Sequence, residues 1–278
     1  MTPRAERTSG PWLARLATFA LALFALVPLG VALLASLRPE AALFAGRSLW
    51  SGAPILDHYR ALFTDREFLV PIRNSLVVAG ATTALCVAVG SAAAYALTRL
   101  EFPGKRAVLG FVLAVTMFPQ ISIVSPLYLL LRALGLIDTY PGLVLPYLTF
   151  AMPLAVWLLA SFFRQLPREL EEAALVDGAT RWQTFSRILL PLAAPGIATT
   201  AILTFIYCWN EFLFALSFTL GPERQTVPVA IALFRGQYQV PWGEILAGAV
   251  VATLPVAAVV LIFQRRIVQG LTSGAVKG

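Results

Sequence analysis

Long apolar stretches alternate with short polar connections along the whole chain. Each apolar stretch holds about 20 or more uncharged residues, the length that a helix needs to cross the hydrocarbon core of a bilayer. The strands of a β-barrel would be about ten residues long with alternating polarity, a pattern that the sequence does not show. The pattern therefore predicts six transmembrane helices, over residues 16–37, 74–98, 107–131, 139–163, 188–210 and 245–264.

The composition of the chain supports this pattern. Hydrophobic residues make up 59% and charged residues 13% of the sequence, whereas about a quarter of the residues of a soluble globular protein are charged. The first apolar window is 22 residues long. It exceeds the apolar core of about 7–15 residues in a cleaved signal peptide, so we expect a retained helix. The sequence predicts one all-α integral membrane domain over 16–264, flanked by polar segments 1–15 and 265–278.

Lysine and arginine are distributed unevenly between the two sides of the predicted membrane domain. The N-terminal segment, the connections after the second and fourth windows, and the C-terminal segment carry 13 of the 21 basic residues. Basic residues accumulate in the cytoplasmic connections of membrane proteins. The distribution predicts that both termini are cytoplasmic and that the connection 164–190 lies on the same side.

Several classes of chemistry have no residues to support them. His58 is the single histidine, and Cys86 and Cys208 lie apart in apolar windows, where cysteine behaves as a small buried hydrophobe. No metal site is expected, because zinc sites combine several Cys and His ligands. The sequence lacks a G-x-x-x-x-G-K-[ST] phosphate loop, so we expect that this chain does not itself hydrolyse ATP. No basic run is interleaved with aromatic residues, so nucleic-acid binding is not expected either.

The connection 164–190 has the signals of two short helices. Pro167 suits the first position of a helix, where its missing N–H is not needed, and three glutamates follow where the helix dipole favours negative charge. Gly178 suits a C-terminal cap with positive φ. Thr180 and Gln183 form a T-x-x-Q capping box that opens the second helix. A tight turn centred on Gly178 is therefore expected between the two helices.

The first of these short helices combines small side chains with anchoring groups. Ala173 and Ala174 let another surface approach the backbone closely. Leu175 and Val176 offer apolar contacts and Glu172 offers a charge, as in an amphipathic helix that binds a groove on a partner. The residues themselves are equally compatible with a solvated helix in an ordinary loop.

The same stretch resembles the EAA motif, E-A-A-x3-G-x9-I-x-L-P, of the membrane subunits of ABC importers. Every fixed position of that motif is matched in this sequence. The resemblance implies a six-helix type I ABC importer permease fold in which this connection is the coupling loop. It implies that the loop binds a cleft on a cytoplasmic ATPase through Glu172, Ala173, Ala174, Asp177, Gly178, Ile188, Leu190 and Pro191.

Further stretches resemble the carbohydrate branch of this family, and within it the maltose-type second permease. Trp209-Asn210-Glu211-Phe212 is similar to a W-N-E-F segment of that branch. The tail from Gly270 to Gly278 resembles its G-L-T-x-G-A-V-K-G tail. The first external loop, with Trp50, Tyr59 and Asn74-Ser75, resembles the first external loop of the same branch.

The resemblance also implies partners and a location. Such a permease forms a heterodimer with a second permease, binds two copies of an ABC ATPase, and receives its substrate from an extracytoplasmic sugar-binding protein. ATP and Mg²⁺ are used by the ATPase, and no cofactor is bound by this chain. The implied activity is alternating-access import of a sugar or sugar-like solute across a bacterial or archaeal cell (inner) membrane, without enzymatic catalysis by the permease.

Few polar groups in the apolar windows are candidates for contact with a transported solute. Glu211 is the only acidic residue embedded in a long apolar stretch, and ionisable groups at such positions usually face a cavity or a partner. Two structural roles explain Glu211 equally well: a carboxylate at the level of the lipid headgroups, or a polar contact that links two helices. The polar candidates for the substrate path are Glu211 and Asn210. Because aromatic rings stack on sugars, Trp209, Tyr128 and Phe118 are candidates as well, with Tyr147, Phe205 and Tyr207 as further aromatic residues.

Proline marks further points of interest. Pro119-Gln120 and Pro146 predict kinks in the third and fourth helices, and broken helices line the path in many transporters. The last external connection, 221–242, is rich in Gly, Pro and Gln. It is a candidate contact for the binding protein or, equally, a solvated loop.

Two other functions stay open on the sequence. An importer of the same class would carry glycerol phosphate, a polyamine or another non-sugar solute. A standalone membrane enzyme or an ion-coupled carrier would need clustered carboxylates or histidines within its spans, and Glu211 is the only such group.

Overall fold

The computed structural model describes residues 11–44, 53–234 and 240–273. Within these ranges the chain consists of helices and connections, without a β-strand, which confirms the all-α prediction there. Two compact units can be separated, one drawn from Met1–Arg66 and Phe234–Thr253, the other from Glu67–Leu233 and Leu254–Gly278. Four stretches used above lie outside the described residues: 1–10, Trp50, 235–239 and 274–278.

The helices follow one another with short connections. In chain order they are α1 Pro11–Ser36, α2 Glu40–Phe44, α3 Asp57–Thr64, α4 Leu69–Arg99, α5 Lys105–Met117, α6 Gln120–Ala133, α7 Tyr140–Gln165, α8 Glu169–Val176, α9 Arg181–Gln183, a π-helical turn Thr184–Leu189, α10 Leu190–Leu192, α11 Ala194–Trp209, α12 Leu213–Phe218, α13 Val227–Ala232 and α14 Trp242–Ser273.

The first unit is held together by polar contacts near the beginning of α14. The Glu40 carboxylate accepts the N–H groups of Trp242 and Gly243, each at 2.9 Å. Unpaired N–H groups at a helix N-terminus favour a negative charge, so Glu40 stabilises this end of α14. In the same unit α1 carries large apolar side chains that are exposed, as expected for a helix in contact with lipid.

The second unit is built on α4, α7 and α11, which pack against one another. Their contact surface is a core of small and aromatic side chains, in which Tyr147 is 1% exposed and Ala151 and Ala155 are fully buried. Small residues let membrane helices approach closely. Cys86 and Cys208 are buried, which confirms the prediction that both are packed inside the protein.

The predicted windows coincide with helices that are long and apolar enough to cross a membrane. In the described part of the chain four of these are single helices and two further candidates are bent pairs. Each of the six windows falls on one of them. The single helices are Trp12–Ser36, Leu69–Arg99, Tyr140–Gln165 and Trp242–Gln264, and the bent pairs are Lys105–Met117 with Gln120–Ala133 and Arg181–Leu192 with Ala194–Trp209.

The third window is broken rather than merely kinked. α5 and α6 meet at 99°, and Phe118 between them has extended backbone angles, with φ −79° and ψ 131°. The residue before a proline is disfavoured in the helical region, and Pro119 has no N–H to donate. The predicted position of the bend, Pro119-Gln120, is confirmed, but the bend is a break between two helices rather than a kink within one. In α7, by contrast, the helix is continuous through Pro146, and a kink there stays a prediction.

The fifth window is shorter than predicted. Arg181–Leu192 and Ala194–Trp209 are bent by 75°, so residues 188–192 of the window belong to the preceding arm. Pro191 and Pro195 flank the bend and remove two backbone donors from it. The straight part, α11, has 16 residues and is about 24 Å long.

Candidate functional site

The first predicted helix of the coupling loop is α8. Three glutamates lie in its first turn, where the unpaired N–H groups favour negative charge. The N–H groups of Glu171 and Glu172 both donate to the carbonyl of Arg168. Pro167 lies two residues before the helix rather than at its first position. Apart from this shift, the structure confirms the helix opened by acidic residues.

α8 ends in a turn whose left-handed backbone conformation favours glycine. Gly178 has φ +82° and donates its N–H to the Leu175 carbonyl at 3.1 Å, while the Ala179 N–H donates to the Ala174 carbonyl at 3.0 Å. This pair of hydrogen bonds is the Schellman motif, with Asp177 as the exposed cap residue. No atom lies within 4 Å of the position that a Cβ on Gly178 would take. The backbone conformation, not a lack of space, therefore explains the glycine.

α8 has an outward and an inward face. Val176 is 86% exposed and Leu175 is 43% exposed, and Glu172 is exposed one turn before Val176. Ala173 is exposed as well, whereas Ala174 is 5% exposed and faces the packing of the protein itself. Of the two alanines, only Ala173 is thus available for contact with a partner. We define the outward face of α8 as Glu172, Ala173, Leu175 and Val176.

The second arm of the loop begins as predicted and then departs from the prediction. The Gln183 N–H donates to Thr180 Oγ1 at 3.3 Å, and the Thr180 N–H donates to Gln183 Oε1 at 2.8 Å, which confirms the capping box. After Gln183 the chain forms the π-helical turn Thr184–Leu189, and Pro191 follows in α10. No feature of the sequence indicated a π-helical turn here.

The remaining motif positions connect this arm to the membrane helices. Leu190 packs against a buried cluster of side chains from α4, α7 and the π-helical turn, whereas Ile188 is half-buried and Pro191 is exposed. Trp182, which the sequence reasoning did not single out, is 69% exposed, with its ring 5.5 Å from that of Phe185. The cluster consists of Ala94, Tyr95, Leu159, Ala160, Phe163, Phe185, Leu189 and Ala193.

A groove of about 400 Å³ lies between the break before α6 and the end of α11. Gln120 Nε2 donates to the Tyr207 hydroxyl at 2.6 Å across it. Asn210 is exposed in the groove wall, and Phe212 is 39% exposed. The groove therefore combines amide, hydroxyl and aromatic groups. Its lining residues are Gln120, Ile206, Tyr207, Asn210, Glu211, Phe212 and Leu213.

Glu211 has a structural role in the wall of this groove. It is 7% exposed, and its two carboxylate oxygens accept the N–H groups of Phe214 at 2.9 Å and Ala215 at 3.1 Å. These are donors that the first turn of α12 would otherwise leave unpaired. The buried carboxylate thus caps α12, a structural role that differs from the two alternatives considered from the sequence, and Asn210 beside it presents the exposed polar group.

The other candidates for the substrate path lie elsewhere. Trp209 is 3% exposed and stacked on Phe205, with ring centroids 5.8 Å apart. Tyr128 packs against the buried core. Phe118 lines a separate apolar groove of about 310 Å³. The structure therefore brings together Asn210, Glu211 and Tyr207 and leaves Trp209, Tyr128 and Phe118 outside this groove.

Comparisons with known proteins agree with this architecture. The family model described as binding-protein-dependent transport system inner membrane component matches residues 86–273. The trehalose transport system permease protein SugB of Mycobacterium tuberculosis is 51% identical over 257 residues, covering 92% of this chain and 93% of that protein. The trehalose/maltose transport system permease protein MalG of Thermococcus litoralis is 44% identical over 238 residues, covering 84% and 86%.

A solved structure has the same fold. It is a chain of a bacterial ABC transporter involved in the import of the acidic polysaccharide alginate, similar with a TM-score of 0.76 and 23% sequence identity over 95% of this chain and 99% of that chain. The helical fold with apolar spans is therefore that of an ABC importer permease. The family match covers the coupling loop, α11 and α14. The chain belongs to the family of binding-protein-dependent transport system inner membrane components.

Proposed function

We propose that this chain is one of two permease subunits of an ATP-driven importer for a small sugar. A separate ATPase supplies the energy and uses ATP and Mg²⁺, and an extracytoplasmic binding protein delivers the sugar. The chain itself forms half of an alternating-access path and catalyses no reaction. Both termini and the coupling loop lie in the cytoplasm.

The outward face of α8 is the observation that carries this proposal. It presents exposed apolar side chains beside the Glu172 carboxylate on a helix whose end is fixed by a Schellman turn. Uncovered apolar surface next to a charge is typical of a helix that binds a groove. Leu175 at 43% and Val176 at 86% exposure are adjacent on this face, so it offers an apolar surface that a partner can cover. We therefore assign this face to the ATPase.

Basic residues support the cytoplasmic side for the coupling loop. Arg164, Arg168, Arg181 and Arg187 are all exposed around it. Arginines close to the ends of transmembrane helices favour the cytoplasmic side. Since the six predicted spans are an even number, the same orientation assigns both termini to the cytoplasm.

Names of relatives and the chemistry of the groove support a sugar as cargo. Relatives named for trehalose, for trehalose and maltose, and for sulfoquinovosyl glycerol are 51%, 44% and 41% identical. Sugars present hydroxyl groups and apolar ring faces, which match the amides of Gln120 and Asn210 and the aromatic ring of Phe212. Among the residues that the structure describes, the lining of the groove contains no lysine or arginine, which disfavours a phosphate ester.

Reconstitution tests the function and its cargo. The chain is incorporated into liposomes with its second permease, ATPase and binding protein, and uptake of trehalose, maltose, glycerol phosphate and spermidine is measured. We expect uptake of a disaccharide that depends on ATP inside the liposome. Uptake by this chain without the ATPase, or ATP-dependent uptake of glycerol phosphate or spermidine alone, would overturn the proposal.

Cysteine labelling tests the orientation and the binding face separately. Because Cys86 and Cys208 are buried, Val176→Cys introduces a readily accessible thiol. We expect it to react with a membrane-impermeant maleimide from the cytoplasmic side and to cross-link to the ATPase. Asp65→Cys, on an exposed position after α3, is expected to react from the outside and to give no such cross-link. The reverse accessibility would contradict the proposed orientation.

A further inference from the structure

The last two turns of α4 make polar contacts with the coupling loop and with the end of α7. Tyr95, which is 6% exposed, donates its hydroxyl to Glu171 Oε1 at 3.0 Å. Its ring lies 5.0 Å from Phe185 in the second arm and 6.4 Å from Phe163 in α7. One side chain of α4 therefore contacts both arms of the coupling loop.

Arg99 lies one helical turn after Tyr95 and secures the other side of the same connection. Its Nη2 donates to the carbonyls of Phe163 and Leu166 at the end of α7, and the Phe163 carbonyl also accepts the Leu166 N–H at 3.3 Å. The last carbonyls of a helix lack the N–H partners four residues further on. A guanidinium group at this position donates hydrogen bonds to the last carbonyls of the helix. Its positive charge is also favourable at the negative end of the helix dipole. α4 thus holds the end of α7 and the first turn of α8 together.

Neighbouring glutamates of α8 have different surroundings. Glu171 is half-buried and bonded to Tyr95, whereas Glu172 is exposed on the outward face. Successive residues of a helix point about 100° apart, so one carboxylate reaches α4 while the next is free to contact a partner. These contacts form a route by which a displacement of α8 by a partner at Glu172 can reach α4 through Glu171.

The opposite end of α4 is also fixed to an extramembrane segment. Asn74 donates to the carbonyls of Glu223 and Gln225, each at 2.9 Å. α4 is one unbroken helix from Leu69 to Arg99, so it contacts the coupling loop at one end and the connection before α13 at the other. A continuous helix that contacts both regions is suited to move as a rigid element.

We infer that Tyr95 is a positioning residue whose hydroxyl couples α8 to α4, so that ATPase movements reach the membrane helices. The inference rests on the proposed function and adds to it a contact outside the EAA motif. Tyr95 does not touch the partner; it acts through Glu171. Loss of the hydroxyl should therefore separate binding of the ATPase from transport.

The experiment uses the complete reconstituted transporter with Tyr95→Phe, which keeps the ring contacts and removes only the hydroxyl. We expect an unchanged amount of co-purified ATPase and an unchanged half-saturating concentration of binding protein. Sugar imported per ATP hydrolysed should fall about tenfold, because a hydrogen bond to a charged acceptor is lost. Glu171→Ala should give the same loss, and the double variant should show no further decrease.

Matched controls keep the test decisive. Tyr59→Phe removes a hydroxyl that bonds Ser36 at 2.7 Å, a contact between α1 and α3 rather than between α4 and the coupling loop, and sugar imported per ATP should stay at the wild-type value. A wild-type ratio in Tyr95→Phe and Glu171→Ala, or loss of the ATPase from both purified variants, would overturn the inference. Failure of the wild-type complex to import sugar with ATP would instead overturn the proposed function.

Discussion

Tyr140 and Asn74 are joined by a 2.7 Å hydrogen bond in which the tyrosine hydroxyl donates to the amide oxygen. The amide nitrogen of Asn74 gives its hydrogens to the carbonyls of Glu223 and Gln225. Asn74 is fully buried, and an amide is the side chain that offers two donors and one acceptor in this shape. α4, α7 and the connection before α13 therefore meet at one side chain.

Asn74→Asp is expected to destabilise this meeting point strongly. It replaces two donors by an oxygen that faces two carbonyl oxygens, and leaving buried acceptors unpaired costs free energy. We expect the free energy of unfolding to fall by about 3 kcal/mol, measured by thermal unfolding of the purified complex in detergent. Tyr140→Phe removes one hydrogen bond and should cost about 1 kcal/mol. Equal effects of the two variants would contradict this account.

Gly178 is expected to tolerate side chains according to their backbone preference rather than their size. Its φ of +82° costs an ordinary L-residue about 1–2 kcal/mol, and asparagine less. Gly178→Val should therefore reduce both the co-purified ATPase and sugar uptake, whereas Gly178→Asn should retain most of each.

Gly135 provides the matched control for Gly178. It has φ +67° and equally open surroundings, but it lies after α6. Gly135→Val should strain the backbone without reducing ATPase binding. If Gly178→Asn and Gly178→Val were equally defective, side-chain size on the outward side of the turn would be the cause instead.

Gly196 is expected to be intolerant of even a methyl group. A Cβ at this position would lie 2.3 Å from Phe162 Cγ, close to the point where the ring joins its own helix, α7. Gly90 is also buried in a helix, but its Cβ would meet Leu159 Cδ1 at 3.4 Å, an ordinary contact. Gly196→Ala should cost about 1–3 kcal/mol of stability through overpacking, measured by thermal unfolding. Gly90→Ala should be neutral or stabilising because alanine favours helix, and a comparable loss in both would count against the packing explanation.

Features set by local sequence could be predicted, and features set by tertiary contacts could not. The spans follow from apolar length, and the turn at Gly178 follows from its neighbours, because the Schellman and capping-box contacts join residues three to five positions apart. The inward orientation of Ala174 depends on what α8 packs against. The EAA motif alone does not indicate which of its two alanines is buried. Glu211 accepts the backbone N–H groups of Phe214 and Ala215. The apolar side chains of these two residues do not indicate that their N–H groups lack partners, so this role of Glu211 could not be predicted.

Asn210 and Glu211 are neighbours in the groove wall, and we expect different consequences when each is changed. Asn210 is exposed there, so Asn210→Ala should change the ratio of trehalose to maltose uptake at saturating binding protein by about tenfold, since a hydrogen-bonding group distinguishes hydroxyl patterns. Glu211→Gln keeps one acceptor for α12 and should lower stability by about 1 kcal/mol while the ratio stays the same. Uptake of both sugars and thermal unfolding of each variant separate these effects. An unchanged sugar ratio in Asn210→Ala would remove this groove from the substrate path, and a changed ratio in Glu211→Gln would give the carboxylate a role beyond capping α12.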